Sequence, residues 1–314
     1  MKLKVYVLVF FLLVSSQAHC FSDVNQTSTS SYTKTKYPLV LVHGFNGYTH
    51  QAYIVEYWFG IVESLSKDGA SVFPVLVSAV QGTEIRGEQL LSSVEKIIAA
   101  TGAEKVNLIG HSHGALTARY VAGVAPDLVA SVTSVAGVNK GSELADFIRS
   151  IVKEETILED FVASIVNVIG GTTSFLSGNG SLTQNAVAAV DSLTTKGVRK
   201  FNKRYPYGVN SDCKSSSSLA SNGIHYFSWG GKSTVTNILD PSDLGLLISG
   251  GIVGGKNDGL VRTCSSHLGK VLGKPYRMNH QDVVNQTMGL RDASEIDPVT
   301  LFRQHANRLK SLGL

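Results

Sequence analysis

At 314 residues, with 43% apolar and 17% charged side chains, the chain has ample material for one large hydrophobic core. Its formal net charge of +4 falls to +2 once Lys2 and Lys4 are set aside with a leader (26 basic against 24 acidic residues). That balance gives no ground for nucleic-acid binding, and the absence of internal repeats points to one elaborated domain over residues 37–314.

The chain opens with two lysines followed by the apolar run 5–14 and small residues up to Cys20. This is the pattern of a secretory signal peptide over residues 1–20, cleaved after Ala18 or after Cys20. The run is too short to span a bilayer comfortably, and His19 argues against a lipoprotein signal at Cys20. Residues 21–36 are rich in Ser and Thr and read as a flexible N-terminal segment.

Residues 38–42, Pro-Leu-Val-Leu-Val, then predict a buried parallel strand ending in the turn His43-Gly44-Phe45. Further apolar strands are expected at 71–77, 106–109, 129–135 and 224–229. Helices are expected at 88–99, 115–124, 141–152 and 298–311, and Ser215 to Ser218 reads as an exposed loop. Strands alternating with helices imply a mostly parallel sheet covered on both faces, with functional side chains at the strands' carboxyl ends.

The most informative segment is Gly110-His111-Ser112-His113-Gly114, set between a buried strand and a helix. Gly-x-Ser-x-Gly in that context is the nucleophile elbow of the α/β-hydrolase fold: the glycines let strand and helix approach, and the serine is held in a strained turn. A serine nucleophile needs a base, an acid that orients the base, and donors for the oxyanion. Asp258 in Asn257-Asp258-Gly259 and His280 in Asn279-His280-Gln281 follow Ser112 in the order this fold uses. His280 is then the general base, Asp258 its orienting partner, and the backbone N–H groups of Phe45 and His113 the oxyanion donors.

Together with Leu239-Asp240-Pro241, Cys264-Ser265-Ser266, the run Asn285 to Leu290 and the closing Arg303 to Lys310, these motifs resemble the secreted Pseudomonas-type bacterial triacylglycerol lipases from about Tyr37 onward. The resemblance implies one structural Ca²⁺, held by Asp240 and Asp282 with backbone oxygens of Gln286 and Leu290. Read from its neighbours alone, Asp240 before Pro241 is a helix N-cap. The resemblance also implies a Cys213–Cys264 disulfide, of the type found in the foldase-dependent branch; two cysteines in a mature exported chain fit it. It further implies folding by a dedicated lipase-specific foldase in the periplasm, export by a type II secretion system to an extracellular location, and a monomer acting on triacylglycerol at a lipid–water interface. Phe45 departs from the family, in which an aliphatic residue is more usual, and this bears on the width of the acyl pocket.

Residues 157–175 carry Leu158, Phe161, Val162, Ile165 and Ile169 at helical spacing opposite Asp160, Ser164 and Asn167. By periodicity this is an amphipathic helix packed on a core; by resemblance it is a lid over about 155–178. Two other readings stay open at this level. One is a carboxylesterase or polyester hydrolase with the same three residues and no interfacial activation. The other is a surface-adsorbing protein without catalysis. A transacylase would use the same residues.

Overall fold

The apolar runs form strands buried on both faces, as a parallel sheet between helices requires. The computed structural model describes residues 30–47, 50–51, 55–151 and 182–314. The signal peptide expected over residues 1–20 and the lid expected over about 155–178 fall outside the described residues, as do residues 21–29. β1 (Leu39–Val42) lies between β4 (Val72–Val75) and β5 (Val106–His111), and the sheet continues through β6 (Val129–Val135), β7 (His225–Trp229) and β8 (Lys270–Val271). The order is β4-β1-β5-β6-β7-β8, with every neighbouring pair parallel. A separate short antiparallel ladder joins β2 (His50–Gln51) and β3 (Val55–Glu56).

Because side chains alternate along a strand, β1 feeds two cores. Leu39 and Leu41 join Ile109, Phe227 and Trp229 beneath α1 (Ile61–Lys67) and α8 (Pro298–Ser311). Val40 and Val42 join Leu108, Val132 and Tyr226 on the other face, under α2 (Thr83–Thr101), α3 (His113–Val124) and α6 (Thr195–Arg204). Each fully buried Leu, Val or Phe contributes roughly 1.5–3 kcal/mol. A smaller third cluster joins α4 (Glu143–Ile151), α5 (Ala186–Leu193) and the end of α7 (Asp243–Val253), with Phe45 packed against it.

Several boundaries differ from the sequence reading, each for a local reason. α2 begins at Thr83 rather than residue 88, running through Gly87. That glycine serves helix contact rather than termination: a Cβ on it would lie 2.2 Å from the Tyr120 ring of α3. β4 stops short of Val77 because Val77 N–H turns to the His43 ring and Ser78 N–H to Gln89. Residues 30–36 are not loose throughout: Thr33 is buried and bonded to Leu65 and Asp68, and Lys36 N–H donates to the Leu314 carbonyl. The 215–218 serines are mostly exposed yet anchored, Ser215 accepting from Val271 N–H and Ser216 donating to Asn210.

Cys213 and Cys264 form a disulfide, tying the loop after α6 to the segment that follows Asp258. Closing a loop of this size stabilises by about 4 kcal/mol in the chain-entropy account.

Candidate active site

Ser112 leaves β5 and enters α3 at φ 54° and ψ −123°. Such backbone costs a non-glycine residue roughly 1–3 kcal/mol, so the surroundings must impose it. They do so by close approach. A Cβ on Gly110 would lie 2.2 Å from the Gly114 carbonyl oxygen, and one on Gly114 would lie 2.3 Å from that of Val42. Strand, elbow and helix are therefore in backbone contact, and Ser112 N–H is pinned to the Val135 carbonyl at 2.9 Å.

His280 and Asp258, 22 residues apart in sequence, meet with Nδ1 and Oδ2 at 2.9 Å, both side chains buried. An ionised carboxylate only accepts, so His280 Nδ1 carries the hydrogen and Nε2 the lone pair. That Nε2 is buried with no partner among the described residues. The other Asp258 oxygen accepts the N–H groups of Leu260 and Val261 at 3.1 and 2.8 Å, and the His280 N–H donates to the Asp258 carbonyl at 2.8 Å. Asn257 sets this turn, donating to the carbonyls of Gly250, Gly254 and Gly255 and accepting from Gly259 N–H. Gly259 itself sits at φ 105°, which explains glycine after the aspartate.

The loop after β1 carries the first expected oxyanion donor. Asn46 N–H donates to the Ala79 carbonyl and Gly47 N–H to that of Gly44, while Phe45 N–H has no acceptor among the described residues. The buried His43 ring donates from Nδ1 to the Gly44 carbonyl and accepts Val77 N–H at Nε2. Burial, reinforced by Arg86, pushes its pKa down to about 3, so it is a neutral brace. The second expected donor, His113 N–H, stands at the first position of α3, where a backbone N–H has no acceptor within the helix. The His113 ring is held by Thr83 Oγ1 at 2.8 Å, and burial lowers its pKa strongly.

Beyond His280, Asp240 and Asp282 are brought together around Asn279. Asn279 N–H donates to Asp282 Oδ2 at 2.9 Å, and its side-chain amide reaches Asp240 Oδ2 at 3.5 Å and Asp243 Oδ1 at 2.9 Å. Asp240 does not cap α7 as its neighbours suggested. It accepts Ser242 N–H in a turn before the helix, and the cap position falls to Ser242. Gln286 and Leu290 lie on the loop after Asp282, in turns that place Asn285 and Met288 at positive φ. Burial pushes the Asp282 carboxyl up to about 7, the charges of Asp240 and Asp243 adding to it, and its Oδ1 is buried without a partner among the described residues. Two acidic groups, one with an orphaned oxygen, suit a hard cation.

Two features of the site escaped the motifs. Arg86 is fully buried on α2, bonded to the carbonyls of His43 and Gly44; a cation on the stripe that carries Gly87, Leu90, Val94 and Ile97 was the available signal. Tyr57 lies beneath Gly44 and left no mark in any motif. Around the site, α4 and α7 pack together and leave Phe147, Ile151, Leu244, Leu247 and Ile248 exposed.

Residues 37–236 match the alpha/beta hydrolase fold family. A triacylglycerol lipase of Vibrio cholerae is 47% identical over 99% of each chain. One from Pseudarthrobacter phenanthrenivorans is 39% identical over 90% of this chain and 99% of that one. Among solved structures, a Staphylococcus hyicus lipase superposes with a TM-score of 0.62 at 19% identity, covering 89% of this chain and 97% of that one, a likeness of fold alone.

Proposed function

Because the chain belongs to the alpha/beta-hydrolase family, among the Pseudomonas-type bacterial triacylglycerol lipases, and is a carboxylic ester hydrolase, we propose that it is an extracellular triacylglycerol lipase working through Ser112, His280 and Asp258. The observation that carries this reading is the buried His280–Asp258 pair at 2.9 Å, its Nε2 partnerless among the described residues, in a fold that holds Ser112 in a strained turn.

Each atom then has a role. His280 Nε2 takes the Ser112 hydroxyl proton as Oγ attacks the ester carbonyl carbon, and Asp258 stabilises the imidazolium while keeping its own charge. The oxyanion accepts from Phe45 N–H and His113 N–H. The collapsing intermediate expels the alcohol, which receives the proton from His280. Water, deprotonated by the same nitrogen, then attacks the acyl-serine ester, and the fatty acid leaves as Ser112 is protonated again.

The fit of Asp240 and Asp282 to a hard cation supports one structural Ca²⁺, completed by backbone oxygens of Gln286 and Leu290. Bound there, it would supply charge compensation to Asp282 and hold the loop that carries His280. The apolar side chains left exposed on α4 and α7 support action at a lipid surface. Secretion through the periplasm, with a lipase-specific foldase and a type II system as partners and a monomer as the product, completes the proposal on the strength of the family.

The test is the initial rate against a short-chain triacylglycerol carried through its solubility limit, with Ser112→Ala alongside. A rise at the emulsion boundary that the mutant lacks supports a lipase. Smooth saturation below the boundary supports a carboxylesterase or polyester hydrolase, and activity surviving in the mutant removes the serine mechanism.

A further inference from the structure

His111 directly precedes Ser112 and has no part in the chemistry above, yet both nitrogens of its buried ring are engaged. Nε2 lies 2.9 Å from the carbonyl oxygen of His280, and Nδ1 lies against the Tyr57 hydroxyl. A carbonyl oxygen only accepts, so the hydrogen is on Nε2 and the lone pair on Nδ1. Nδ1 therefore accepts the Tyr57 O–H. The Tyr57 oxygen in turn accepts Gly44 N–H at 2.9 Å.

The direction of every bond in this chain is thereby fixed. It starts at the peptide N–H one residue before Phe45 and ends on the backbone of the base. Tyr57 and His111 are 3% and 2% exposed, so water does not substitute for either partner. The His111 and His280 rings pack with centroids 4.7 Å apart, and Tyr57 is wedged edge-on against Trp58 at 5.2 Å. Burial, with His280 and then His43 nearby, lowers the His111 pKa strongly, so the ring beside the base stays neutral.

We propose that Tyr57 and His111 are positioning residues that hold the oxyanion loop and the base in register, His111 acting as its Nε2–H tautomer. The proposal rests on the reading of Ser112, His280 and Asp258 given above. It explains why Gly44 N–H is spent on a side chain: the peptide is turned so that the next N–H, that of Phe45, is the one left for the oxyanion. It also explains a histidine beside the nucleophile, since few side chains present an acceptor and a donor on opposite edges of one rigid ring.

The tautomer is read by histidine-selective ¹⁵N correlation spectroscopy on the full chain, and the positioning by kinetics on a soluble ester with Tyr57→Phe, His111→Gln and the double variant. His111→Gln keeps a donor toward the His280 carbonyl and gives up the ring acceptor for Tyr57. The expected spectrum places the His111 hydrogen on Nε2, and Tyr57→Phe moves the Nδ1 resonance toward that of an unbonded nitrogen. Each single variant is expected to lower kcat about 10- to 100-fold with KM within about twofold, as small misplacements in an active site do. The double variant is expected to match the worse single one, because both interrupt one chain. Tyr57→Phe removes a single oxygen, and an unchanged thermal midpoint separates positioning from folding. An Nδ1–H tautomer, additive losses, or wild-type kcat in Tyr57→Phe overturns the proposal. Those results with Ser112→Ala inactive overturn the positioning alone, whereas activity in Ser112→Ala overturns the serine mechanism and this proposal together.

Discussion

The buried guanidinium of Arg86 donates to the carbonyl oxygen of His43 at 2.6 Å, from a side chain with no ion pair among the described residues. Its other contacts are also backbone or hydroxyl oxygens: Ser78 and Ala79 in the loop after β4, Gly44 in the turn after β1, and Thr117 on α3. Carbonyl dipoles thus stand in for a counter-ion, and burial lowers the Arg86 pKa to about 9. One planar fork fastens the turn before Phe45 to the loop after β4 and to α3.

Arg86→Lys keeps the charge and loses the fork, because an ammonium cannot reach oxygens spread over three segments. We expect kcat to fall about 10- to 1000-fold, bounded by the loss of one oxyanion donor, with KM little changed. Steady-state kinetics on a soluble ester reads this directly. A wild-type kcat would mean that the loop is held without the guanidinium.

The parts legible in the sequence are those in which local pattern and tertiary role coincide. Apolar runs such as 38–42 can be little but buried strands, and Gly-x-Ser-x-Gly between strand and helix has few other uses. Asp258 and His280 are candidates by chain order alone, and the structure brings their side chains together. Arg86 and Tyr57 were missed because each acts through contacts with residues distant in sequence, His43 and Ser78 for one, Gly44 and His111 for the other. Asp240 misled for the complementary reason. Its local meaning, a cap before Pro241, is overridden by its turn with Ser242 and its place beside Asn279.

Metal removal has a definite sign. Without a cation, Asp282 holds a buried oxygen with no hydrogen-bond partner among the described residues and faces the charges of Asp240 and Asp243. A bound Ca²⁺ adds stability by mass action, about 2.7 kcal/mol at a hundred times its dissociation constant. A chelator is expected to lower the thermal midpoint of the wild type by several degrees, and Asp282→Ala to abolish that sensitivity. The check is a calorimetric scan with and without chelator, and an unchanged wild-type midpoint would refute the calcium site.

Acid is expected to destabilise the protein through its buried histidines. His43 and His305, the latter bonded to Thr133 and walled by Phe227 and Trp229, are each pushed down to about 3, first by burial and then by Arg86 and Arg308 respectively. Above pH 6.5 the folded and unfolded forms are alike in carrying these rings neutral, so their stability contribution is fully present. As the pH falls from 6.5 toward 3 only the unfolded chain takes up the protons, and the stability drains away, by about 2 kcal/mol for each ring at pH 5. Urea unfolding between pH 7 and pH 5 should show this slope, and His305→Gln should reduce it by about one proton. An unaltered slope in that variant would show that His305 is protonated in the native state.

The exposed side of α7 gives the sharpest test of action at a lipid surface. Leu244, Leu247 and Ile248 are 68%, 50% and 58% exposed, beside Phe147 and Ile151 of α4. Water gains nothing from this arrangement, whereas transfer to an oil surface would recover roughly 1 kcal/mol for each half-exposed leucine or isoleucine. Leu244→Ser with Ile248→Ser removes two such side chains without touching those of the helix that are buried, Leu246 and Val253 among them. The double variant should bind emulsified triacylglycerol about tenfold to thirtyfold less tightly, while kcat on a dissolved short-chain ester stays at the wild-type value. Equal losses on dissolved and emulsified substrate would place these side chains in the binding of single ester molecules rather than of a surface. Unchanged adsorption would show that the chain meets lipid through another face.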